Sequence, residues 1–147
     1  MALQIKTIAD NIAALTVVGV TFYPLTQLDE WELTGPTFFP DPIDFITNFQ
    51  PTVDSFGTNA TAKMHVEYDL NFSFAYEQVG QEYGLWAIYD SMVTLFGQIM
   101  DVLLTTDVVG EVYMSVRGIS QFGVIVIPNN TQWHGCKIAL HFMEFVN

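Results

Sequence analysis

Basic residues are nearly missing from this chain: Lys6, Lys63, Arg117 and Lys137 stand against 16 acidic side chains, for a formal net charge of -12. A surface that reads phosphates needs clustered Lys and Arg, so specific nucleic-acid binding is not expected. The acidic excess serves solubility, or it forms a wall that DNA slides past without sticking. Cysteine is reduced to Cys136 alone. No internal disulfide is available, and a single Cys in an apolar stretch reads as a small buried hydrophobe suited to a reducing cytoplasm. Long hydrophobic runs are also lacking at the start. MALQIKTIADNIAAL is interrupted by Gln4, Asp10 and Asn11, so it reads as neither a signal-peptide core nor a membrane span. CxxC and HExxH spacings, a nucleophile elbow, a phosphate-cradling glycine loop and a dinucleotide fingerprint are all absent.

What is present argues for a folded domain. Half of the 147 residues are hydrophobic and 12 are Phe, too apolar for disorder and enough for one core. The clearest stretch is TAKMHVEYDLNFSFAYE, Thr61 to Glu77. Met64, Val66, Tyr68, Leu70, Phe72, Phe74 and Tyr76 share one parity; His65, Glu67, Asp69, Asn71 and Ser73 share the other. That period of two predicts a strand with one buried and one wet face. At roughly 3.3 Å per residue it would run about 50 Å, so part of it is expected to project past the core or to pair outside it.

Taken in order, residues 2–15 predict an amphipathic helix with Ile5, Ile8, Ile12 and Leu15 on one stripe. Val17 to Leu25 predicts a strand, and Gln27 to Gly35 an acidic loop around Trp31. Thr37 to Ile46, broken by Pro40 and Pro42, predicts a short, irregular edge strand. Thr47 to Ala60 has no period and predicts a long loop that is flexible before assembly, with Phe49, Val53 and Phe56 stranded in it. Leu85 to Leu104 predicts a helix whose apolar residues cover more than one stripe; the excess belongs to core packing or meets another subunit. Val108 to Arg117 and Phe122 to Ile127 predict a hairpin about Gly118 to Gln121. Trp133 to Val146 predicts a last strand, buried on both faces near its end. The expected fold is a single α+β domain: a mixed or antiparallel sheet of about four to six strands, two helices on one face, and one very long central strand.

Candidate sites for chemistry are sparse. His65, His134 and His141 sit on predicted strands and could converge with Glu67 or Glu144, but without a metal-ligand spacing. Cys136 with His134 two residues away lacks an oriented base. Glu67 and Asp69 share a strand face about 7 Å apart, a two-carboxylate arrangement that a solvated acidic face explains better. Arg117, the only arginine, suits a carboxylate pair within or between subunits. No catalytic, cofactor or metal site is expected.

The opening helix ending at Leu15, the long strand Lys63 to Tyr76, the helix Leu85 to Leu104 and the closing WHGCKIALHF together resemble the tail terminator (tail completion) proteins of long-tailed phages. The likeness spans nearly the whole chain and rests on element order and texture. It implies a structural virion protein without enzymatic activity, made in the host cytoplasm. Several copies, usually six, would form a homo-oligomeric ring that caps the tail tube and meets the head connector while DNA passes through unbound. It further implies that Phe49, Val53, Phe56, Arg117 and Trp31 serve interfaces with tube or neighbour, and that Glu67, Asp69 and Glu77 face the lumen or a neighbour. Two rivals are another neck or tube protein of the virion, and a small-molecule-binding or enzymatic α+β barrel lined by Tyr68, Phe72, Phe74, Tyr76 and Trp86.

Overall fold

Residues 3–24, 35–53, 64–80, 85–105, 112–127 and 131–146 are described by the structure, a computed structural model. The alternating stretch forms β4 (Met64–Gln78), and β6 (Gln132–Val146) runs antiparallel beside it along its whole length. Directly opposed residues share a face, so Val66, Tyr68, Leu70, Phe72 and Phe74 meet Cys136, Ile138, Leu140 and Phe142 in one buried layer. Two helices cover that layer. α1 (Ile5–Ala13) brings Ile8 and Ile12, and α2 (Leu85–Thr105) brings Met92, Phe96, Ile99 and Leu103, at the spacings of three and four that make a helical stripe. The domain is α+β, with both helices on one face of a mixed sheet.

The other edge of β4 is shared end to end by two strands. β3 (Ile46–Val53) pairs with Met64 to Leu70, and β2 (Thr37–Pro40) with Phe72 to Ala75, both antiparallel; β1 (Thr21–Phe22) adds to β2 in parallel. β5 (Tyr113–Val126) flanks β6 on the far side. The described strands therefore make a six-stranded sheet. A smaller cluster of Phe39, Ala75, Ile125, Ile127 and Trp133 sits on the opposite face, at the β2 end of β4.

Several expectations are corrected. The long strand does not project: β6 satisfies one edge and β3 with β2 the other, so its length is used inside the chain. The hairpin at Gly118 to Gln121 is one continuous strand, because 15-residue β6 offers a ladder throughout and bulges at Val116/Gly118 and Ser120/Gly123 absorb the irregular residues. The first half of the expected loop at 47–60 is β3, and residues 54–60 lie outside the description. β2 is interior, flanked by β1 and β4, and stops at Pro40, where a missing N–H costs least. Of the expected strand Val17 to Leu25, the described residues 17–24 contribute two residues of strand after a turn at Gly19. The end of β6 is buried on one face only, since Phe145 is exposed.

β4 and β6 approach so closely that one glycine is obligatory. A Cβ on Gly135 would lie inside the Phe74 carbonyl, and the obstruction is backbone that cannot rotate away. Gly135→Ala is predicted to lower stability by about 1–3 kcal/mol, read as a fall in urea midpoint at constant m-value; an unchanged midpoint would show that the two strands can separate at this point without cost.

Candidate functional site

On the helix-free face, one residue from each of four adjacent strands converges. Asp69 of β4 is buried at 1% exposure. Asn48 of β3 donates to its Oδ2 at 2.7 Å, His141 Nδ1 of β6 lies 2.7 Å from its Oδ1, and Arg117 Nε and Nη2 of β5 approach the same oxygen at 3.4 Å. Two irregularities aim these partners. Asn48 adopts φ 53 within the bulge of β3, a conformation that asparagine tolerates, and Arg117 is the extra residue in the first bulge of β5. Glu67 adds a carboxylate 3.5 Å from His141 Nε2. Asn48, Gln50, Glu67, Arg117 and His141 line a cleft of about 480 Å³.

The electrostatics show what this cluster does. Burial by itself would raise the Asp69 pKa, but hydrogen bonds from Asn48 and His141 and the charge of Arg117 outweigh it and hold the carboxyl below its ordinary value. His141 Nδ1 also lies 2.8 Å from Arg117 Nη2. One ring nitrogen cannot donate to Asp69 and accept from Arg117 at once; the buried carboxylate favours the donor form. Asn48, His141 and Arg117 all direct donors at Asp69, so the cluster is a brace across four strands. Asp69 is thus internal rather than facing a lumen or neighbour, and Arg117 makes its ion pair within the chain. Glu67 remains on the open face, and Glu77 lies past a bulge, level with His134. Among the described residues no three of His, Cys, Asp and Glu converge where a cation could sit, and no described helix is long and apolar enough to cross a membrane.

A second buried carboxylate lies on the helix side. Glu144 accepts from Tyr68 Oη at 2.6 Å and from the Gln4 backbone N–H at 3.2 Å to each oxygen, at the start of α1. This position suits a negative charge, because helix N-termini carry unpaired N–H groups. Burial first, then the hydrogen bond and charge of Glu144, raise the Tyr68 pKa. Sequence reading missed the site, although Glu144 continues the apolar parity of Phe142 and Leu140, which is the available signal. Cys136 is enclosed, with burial pushing its thiol up to about 12, so it is no nucleophile. Tyr68, Phe72 and Phe74 fill the core rather than line a cavity: Phe38 stacks on Phe72 at 5.3 Å and Tyr68 on Phe142 at 5.8 Å.

Apolar surface is left at both edges of the sheet. At the β5 edge, Trp86 (87% exposed), Tyr89, Asp90 and Val93 of α2 and Phe122 of β5 line a groove of about 850 Å³. At the β3 edge, Ile43 (69% exposed), Ile46 and Phe49 stand out. Phe49, expected in a loop, is a strand residue stacked on Tyr68 at 6.2 Å. Val53 ends β3, whereas Trp31 and Phe56 lie outside the described residues. No protein-family model matches the chain, and no curated protein does.

The depressed Asp69 pKa sets a pH dependence. The stabilisation is full above the unfolded carboxyl value of about 3.9 and is lost as pH falls through the lower folded value. Asp69→Asn should flatten the stability curve in that acid range, and Asp69→Ala should cost about 1–3 kcal/mol at pH 7 by leaving its donors unpaired; urea unfolding across pH measures both. Tyr68→Phe should cost about 1–2 kcal/mol by removing one of the donors to buried Glu144, and an unchanged midpoint would mean that the pair is neutral to folding.

Proposed function

We propose that this protein is a structural virion protein of long-tailed phages, a tail terminator whose copies close into a ring between tail tube and head connector. One observation carries the reading. The sheet ends in two different apolar surfaces, the α2/β5 groove at one edge and the Ile43, Ile46 and Phe49 projection at the other. A ring needs head-to-tail contacts, and those require two unlike surfaces on each protomer. A protein that works alone has little use for either, because isolated chains seldom leave large apolar side chains clustered in the open.

The charge balance supports the same role. With a net charge of -12, a ring of such chains repels DNA and lets it pass, which suits a conduit better than a binding site. The two strongest polar clusters are consumed in holding the protomer together, so the functional surface lies at the sheet edges. A neck adaptor or tube subunit would share these properties and differ in the partner bound.

The purified protein is expected to appear as small annuli in negative stain, with a solution mass several times that of the 16.5 kDa chain, and to sediment with tail tubes. A protein that stays monomeric at about 100 μM, well above the dissociation constants of typical specific complexes, and does not bind tubes would overturn the proposal.

A further inference from the structure

We infer that the α2/β5 groove is a recognition site for an arginine side chain carried on a segment of another protein. Trp86, Tyr89, Asp90 and Val93 recur at spacings of three and four, so one face of α2 gives the groove two aromatic rings and a carboxylate, and Phe122 of β5 adds a third ring from the sheet. Aromatic faces attract a cation through their negative quadrupole, and a neighbouring carboxylate fixes its charge. The inference does not rest on the ring reading, which keeps the exposed Ile119, Val124 and Val126 of the same edge for contacts between copies.

The groups that a cation would use are unspent. Among the described residues, neither the Trp86 indole nor the Asp90 carboxylate has a hydrogen-bond or ion-pair partner, and no basic residue lines the groove. The other two rings are held in place. Tyr89 Oη lies 3.4 Å from His134 Nδ1 and its ring meets His134 edge-on at 5.6 Å, while Phe122 meets Phe96 edge-on at 5.8 Å. A bulge aims Phe122. Ile119 opposes the core residue Ile138, so regular alternation would send Phe122 to the opposite face of the sheet. The register shift between Ser120 and Gly123 returns it to the side of α2, with Gln121 at φ 51, a conformation that residues other than Gly, Asn and Asp adopt rarely. Backbone strain of this kind gathers at ligand sites.

Charge decides the kind of partner. A second copy brings a net charge of -12, its only arginine is paired with its own Asp69, and its Lys137 with its own Asp41. A basic segment of a different protein is instead drawn to Asp90. The groove, at about 850 Å³, is larger than a small ammonium ion needs and suits a side chain together with the apolar residues that flank it. Arginine fits it better than lysine. The planar guanidinium stacks on an aromatic face while its edge donates two parallel hydrogen bonds to a carboxylate, and it gives up water more readily than an ammonium does.

Isothermal titration with acetyl-Leu-Arg-Leu-amide, and with the same peptide carrying citrulline, which keeps the shape without the charge, tests the site. The arginine peptide should bind saturably below about 10 mM and about tenfold or more tighter than the citrulline peptide. Asp90→Asn should bring the two peptides level, and Trp86→Ala should weaken the arginine peptide by about tenfold or more. Both variants should keep the wild-type circular dichroism, because both side chains are exposed. No binding by that concentration, equal binding of the two peptides, or a preference that survives Asp90→Asn would each overturn the inference. A lysine peptide that binds as tightly as the arginine peptide would overturn the assignment to a guanidinium. Annuli that fail to bind the arginine peptide leave the ring reading intact and remove this one, whereas a monomeric protein that binds it removes the ring and keeps the groove.

Discussion

The pairing of β4 with β6 is the constraint on which the remaining structure depends. Two 15-residue strands run antiparallel over their whole length, and their facing apolar parities form the floor on which both helices rest. Because side chains alternate with period two, a slip of one residue would turn that floor to solvent and bury Glu67, Asp69 and His141 beneath the helices. Gly135 holds the ladder to its closest approach, and the aromatic side chains of β4 fill the space above it.

The two buried carboxylates mark the places where that floor is fastened to other elements. Asp69 gathers Asn48, Arg117 and His141, so four strands are joined on the face that has no helix. Glu144 joins β6 to Tyr68 and to the start of α1 on the other face. Buried ions stabilise little unless fully hydrogen-bonded; here each is, and the gain is a defined register and a defined helix position. The polar cleft therefore reads as structural, despite an Asp–His pair that resembles catalytic arrangements.

With both clusters occupied internally, exposed apolar side chains among the described residues gather at the two sheet edges. Trp86 and Val93 on one side and Ile43 and Phe49 on the other are exposed at a cost that a lone protomer has no reason to bear. In the proposed ring that cost would become junction energy, and the acidic remainder of the surface would keep contacts with DNA weak.

Residue order alone determined the elements whose pattern is local and long: α2 within one residue of its span, the two faces of β4, and the α+β class, because a period of two or of 3.6 is set by backbone geometry whatever the partner. It also picked out Arg117, Asp69 and Phe49 as worth following. Tertiary structure alone decided how they are used. β3 has no period because its bulge at Asn48 breaks the alternation, so it read as a loop. β5 read as a hairpin because Gly118 and Gln121 look like a turn until a 15-residue neighbour supplies hydrogen bonds on both sides of them. Whether Asp69 faces water or Arg117 depends on strands distant in sequence arriving beside it, and that is a property of the sheet's order, which no local pattern encodes.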